Sequence, residues 1–149
     1  MYDTDALADL VDRKVECLTQ LRDLGRHQDQ MIAEGSMGDL LKLLAIKQRL
    51  LTTLSKVERG LDPYRNQDPE QRRWRTSEDR SRCAAASRRC EALLAEVVDQ
   101  ETRSERFLRE RRDEVVTQLQ TLHAADRARG AYAEQAGPQL SQLDLASEG

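Results

Sequence analysis

Apolar side chains return every seven residues through the first part of the chain, and this recurrence constrains the fold more than any other feature. Leu10, Cys17, Leu24 and Met31 form one column, with Leu7 and Leu21, and Val11 and Leu18, in the columns beside it. That period places all of them on one stripe of an amphipathic α-helix, not on alternating faces of a strand. The spacing predicts a helix over 4–34, about 45 Å long. Thr4 is its expected N-cap, and Asp5 and Asp9 sit favourably in the early turns.

Glu34-Gly35-Ser36-Met37-Gly38-Asp39 reads as a turn in which two glycines release the helix and Asp39 receives the next one. From Leu40 the pattern resumes through Leu41, Leu43, Leu44, Ile46, Leu50, Leu51, Leu54, Val57 and Leu61, which predicts a second helix over 39–61. So short a connection makes the two an antiparallel hairpin, and the leucine stripes of both are expected to be core. Pro63 should end the second helix near Asp62, while Asp68-Pro69 has the form of an N-cap and first helical residue. Trp74 either closes one end of the bundle or stays exposed for a partner.

A third helix is expected over 77–136, because no proline and only Gly130 interrupt it. At about 87 Å it outreaches both hairpin helices. The expected fold is all-α: an elongated antiparallel helical hairpin packed on a long C-terminal helix, as a three-helix coiled-coil-like bundle. Residues 1–136 are expected to form a single helical domain, with 137–149 a flexible, disordered tail whose Leu140, Leu143 and Leu145 could dock on a partner.

Composition narrows function by exclusion. Charged residues make up 34% and aromatic residues 3%, too little apolar supply for a thick multilayered globule. The net charge is −3, with acids and bases interleaved, so no basic field points to nucleic acid. No apolar run approaches the roughly 20 residues that span a bilayer, and Met1–Asp12 lacks the pattern of a signal peptide, so a cytoplasmic protein without membrane insertion is expected. Cys17, Cys83 and Cys90 show no CxxC spacing, and His27 and His123 have no metal-ligand companions. With no phosphate loop, nucleophile elbow or HExxH, the expectation is a protein that is not an enzyme and holds no metal or cofactor.

Two clusters remain as candidate surfaces. Arg103, Arg106, Arg109, Arg111 and Arg112 alternate with Glu101, Glu105, Glu110, Asp113 and Glu114, the pattern of a solvated, ion-paired helix face. Phe107, Leu108, Val115, Leu119, Leu122 and Tyr132 lie where the hairpin is too short to reach. Ordinary core and partner-binding surface are both open readings of those six.

Asp39-Leu40-Leu41-Lys42-Leu43-Leu44 with Lys47-Gln48-Arg49-Leu50-Leu51-Thr52-Thr53-Leu54 resembles the second-helix pattern of the FlgN-type flagellar export chaperones. Arg129-Gly130-Ala131-Tyr132 and Leu143-Asp144-Leu145-Ala146 resemble the end of that family's long helix and its tail. The resemblance spans the whole chain loosely. It implies a cytoplasmic chaperone that binds hook-associated proteins and prevents their premature assembly, capturing a client helix on its C-terminal amphipathic segment. The alternative, from another class, is a structural coiled-coil homodimer or scaffold in which the long helix pairs with its own copy.

Overall fold

Three α-helices and one 3₁₀ turn make up residues 2–135, the part of the chain described by the computed structural model. They are α1 (Asp3–Glu34), α2 (Met37–Arg65), the turn Pro69–Gln71 and α3 (Ser77–Gln135). No strand occurs among the described residues, so the all-α hairpin with a long third helix is the observed fold. The tail expected over 137–149 lies outside the described residues.

Each corner has a local cause. Gly35 adopts the left-handed conformation at φ 71°. There its N–H reaches the Ile32 carbonyl while that of Ser36 reaches Met31, both at 3.2 Å, which closes α1 with the paired bonds of a Schellman motif. Gly38, expected to share in the turn, already belongs to α2. Thr4 does not cap α1, as it lies inside the helix, 4% exposed, and its hydroxyl donates to the Arg73 carbonyl at 2.7 Å. The backbone N–H of Tyr2 meets the Asp5 carboxylate instead, at 3.4 Å.

Pro63 does not stop α2 at Asp62. It sits in the last turn, where its missing N–H removes a single helical bond, and the chain stays helical to Arg65. Tyr64 holds that turn: its hydroxyl donates to Asp3 O at 3.3 Å, and its carbonyl accepts from Arg72 Nη2 at 2.7 Å. Asp68 then accepts from Glu70 N at 3.0 Å with Pro69 at the first position of the 3₁₀ turn, the arrangement its sequence predicts. Trp74 is half-buried against the core, and Thr76 Oγ1 accepts from Asp79 N at 3.0 Å to open α3.

By their internal contacts the residues group into two compact units, Met1–Phe107 and Leu108–Gly149. In the first, α1 packs against both α2 and the first half of α3. Its core joins Leu7, Val11, Leu18 and Leu21 to Val57 and Leu61 and to Cys83, Cys90 and Leu93. Two neighbours widen the buried arc of α1 and shift it by one position. The buried columns are Thr4–Val11–Leu18–Gly25–Ile32 and Leu7–Leu21–Gln28, while of the column Leu10, Cys17, Leu24 and Met31 only Cys17 is buried and the others are half-buried. Leu18 and Leu21 sit at its centre, 0% and 2% exposed, each contributing roughly 1.5–3 kcal/mol by leaving water.

On α3 the matching seam advances by threes and fours through Cys83, Ala86, Cys90, Leu93, Val97, Gln100, Ser104 and Phe107. Small residues dominate one column of it, which lets α3 lie close to α1. Arg75 pairs with Asp5 at 2.9 Å near the start of α1, and Arg26 pairs with Glu96 at 3.2 Å further along, so within this unit α3 runs parallel to α1. The second unit is described over 108–135 and is helical throughout. None of its described residues is buried, and only Ala125 is half-buried.

Candidate functional site

The second unit owes its helix to composition. Residues 108–135 contain no proline, and Arg, Glu, Gln, Leu and Ala outnumber the weaker helix formers. Local pairs add to this: Arg111 with Glu114 at 3.8 Å and Arg129 with Asp126 at 3.4 Å. The hydroxyls of Thr117 and Thr121 donate back to the carbonyls of Asp113 and Thr117, at 2.9 and 3.0 Å.

Four of the six residues singled out in the sequence share one face of this helix. Leu108, Val115, Leu119 and Leu122 follow one another at steps of seven, four and three, so they line up along a single stripe. They are 43%, 52%, 53% and 58% exposed, an apolar set open to solvent and interrupted between Leu108 and Val115 by Arg111 and Arg112. The other two stand apart. Phe107 belongs to the first unit, half-buried, one seven-residue step along the seam from Gln100. Tyr132 is 73% exposed and, at about 100° per residue, lies roughly a third of a turn away from the strip.

A second apolar strip escaped the sequence reading. Met37, Leu41, Leu44 and Leu51 are exposed on α2, as is Ile46, although the leucines of this helix were expected to be core. The physical reason is that α2 carries apolar columns on two sides. Leu40, Leu43, Val57 and Leu61 take the side against α1, leaving the Met37–Leu51 side unpaired. The signal was present in the sequence as adjacent leucines, Leu40-Leu41, Leu43-Leu44 and Leu50-Leu51, which cannot all point one way. Leu94 and Val98 on α3 are likewise exposed.

Titratable groups are arranged for structure. The thiols of Cys17, Cys83 and Cys90 are free and buried, and burial pushes each of them up. Arg103, Arg111 and Arg112 pair with Asp99, Glu114 and Asp113, as the interleaved charges predict. Burial lowers the Lys47 ammonium, with Asp29 opposing that effect, and Lys47 is tied to Gln28 and Glu101. His27 and His123 are exposed, and no group of three potential metal ligands converges among the described residues. Nor is any described helix long and apolar enough to cross a membrane. A concavity of about 690 Å³ between the start of α1 and the Asn66–Arg73 connection is polar. On its wall Arg72 Nη2 donates to the Tyr64 carbonyl, while the Nε of the same guanidinium is buried without a partner.

No protein-family model, curated protein or solved structure matches this chain. The functional reading therefore starts from the exposed strip of Leu108, Val115, Leu119 and Leu122.

Proposed function

We propose that this chain is a protein-binding chaperone of the FlgN-like kind, which holds a helical segment of a hook-associated protein in the cytoplasm before export. The observation that carries the reading is the set of Leu108, Val115, Leu119 and Leu122, apolar and exposed on the part of α3, 108–135, in which no described residue is buried. An amphipathic client helix with anchors at i, i+3, i+4 and i+7 covers such a strip ridge into groove. Covering four half-exposed aliphatic side chains returns on the order of 4 kcal/mol before orientation costs. Since orientation costs alone are of that order, the client's own apolar residues and further contacts must add to the strip to hold the client. Shielding the client's own apolar helix meanwhile blocks its premature assembly.

The test is capture of purified hook-associated proteins by the wild type and by Val115→Asp with Leu119→Asp. Two carboxylates in the strip should abolish capture while leaving the thermal transition of the first unit in place. Undiminished capture by the folded double variant would remove this site.

Self-association as a structural coiled coil is the second reading, favoured by the presence of two unpaired apolar strips, Met37–Leu51 and Leu108–Leu122, on one chain. Sedimentation separates the two. The chaperone reading expects a monomer that becomes a complex with client, and the scaffold reading expects a stable dimer indifferent to it.

A further inference from the structure

Heptad seams are degenerate, since a helix slid by seven residues along its neighbour again presents apolar side chains to apolar side chains. In the first unit polar residues interrupt the apolar seam between the main core and the buried Ile32, Leu40 and Leu43 beside the α1–α2 turn. Gln28 on α1, Lys47 on α2, and Gln100 and Ser104 on α3 are 3%, 8%, 4% and 2% exposed, all at seam positions. Each of these polar groups meets a partner on another helix. Lys47 Nζ donates to Gln28 Oε1 at 3.2 Å and pairs with the Glu101 carboxylate. Gln100 Nε2 donates to the Arg22 carbonyl at 3.1 Å, and Ser104 Oγ donates to Asp29 Oδ1.

Gly25 completes the layer. A Cβ at that position would stand 2.3 Å from Gln100 Oε1 and 2.8 Å from its amide carbon, so the absent side chain is the socket that receives Gln100. The Arg22 carbonyl fixes which way the amide faces, because turning it round would set two oxygens against each other. Gln100 Oε1 is then left buried without a donor, a cost that an ordinary apolar residue would not incur.

We propose that this layer, Gly25 and Gln28 on α1, Lys47 on α2, and Gln100, Glu101 and Ser104 on α3, is a register lock that selects one alignment of the three helices. Sliding α3 by one heptad sets the Gln100 amide against the side chain of Leu18 or Ile32, which fills the space that Gly25 leaves open and stands in the way of the next carbonyl, and offers the Gly25 socket Leu93 or Phe107. Sliding α2 by one heptad separates Lys47 from Gln28, sets it beside Leu21 in one direction or the Gly35 corner in the other, and leaves the buried Gln28 facing Leu40 or Leu54. Each misalignment strands a buried polar group, so the layer acts chiefly by destabilising the wrong registers.

Two measurements on the full chain test the lock. The triple variant Gln28→Leu, Lys47→Leu and Gln100→Leu is expected to remain helical with an unchanged or higher melting midpoint. Its amide nitrogen–proton spectrum is expected to split into several peaks per residue across 7–107, where the wild type gives one. A single set of peaks from the triple variant would overturn the proposal. Independently, Gly25→Ala is expected to lower the folding equilibrium constant severalfold, because displacing the buried Gln100 amide outweighs alanine's gain in helix propensity. In a Gln100→Ala background the same change should be neutral or favourable, because alanine is the better helix former. Equal damage in both backgrounds, or none in the wild type, would show that Gln100 does not fill a socket at Gly25.

Discussion

Burial sets the behaviour of individual side chains here. Cys17, Cys83 and Cys90 are 6%, 8% and 4% exposed, with thiols pushed up by desolvation. In the native chain a thiol reagent at neutral pH should therefore label them slowly, and all three should react at once in denaturant; fast native labelling would contradict their placement. Leu18 is completely covered, so Leu18→Ala should cost about 2–5 kcal/mol in denaturant unfolding. Acid sensitivity has an identifiable source. Burial acts to raise the Glu58 carboxyl, but Lys14 at 2.7 Å and Arg65 outweigh it, and Asp5 is held low chiefly by its hydrogen bond from Arg75. Both are below their ordinary values when folded. The stability they add is complete above the unfolded-state values of about 4 and is lost as pH falls through the folded ones. Urea midpoints measured from pH 6 to pH 3 should fall, and Glu58→Gln should flatten that fall; a parallel curve would exclude Glu58 as a contributor.

At the scale of the element, periodicity made three helices legible, with ends close to those observed. It did not reveal which columns turn inward. On α1 the column of Leu10, Cys17, Leu24 and Met31 looked central because its spacing was the most regular, yet contact with two neighbours buried only Cys17 of it and centred the buried arc on Val11, Leu18 and Ile32. The doubled leucines of α2 left two sides equally apolar, and only the tertiary partner decided between them. Pro63 misled because proline chemistry is penal in the middle of a helix and mild in its final turn, where Tyr64 is anchored from α1 and from Arg72. Gly35 was legible for a physical reason, since a left-handed corner between helices favours the residue without a Cβ. Gly35→Ala should lower stability by on the order of 1 kcal/mol in denaturant unfolding. No change would mean that the corner relaxes to another conformation.

For the whole molecule, the division into units is what gives the candidate site its meaning. The first unit has an apolar core crossed by a polar layer, and the second has no buried residue among those described. From sequence, the face of Leu108, Val115, Leu119 and Leu122 was legible as a heptad stripe. The exclusion of Phe107 was not, because only the seam of α3 shows it to be continuous with Gln100 and Ser104. Native-state amide hydrogen exchange on the free, dilute chain tests most directly whether that face lacks a cover of its own. Amides over 109–122 should exchange roughly a hundredfold or more faster than those over 83–104, since a helix without tertiary packing opens readily. Equal protection of the two segments in the monomer would mean that the chain already shelters the strip, and the binding face would be lost with it.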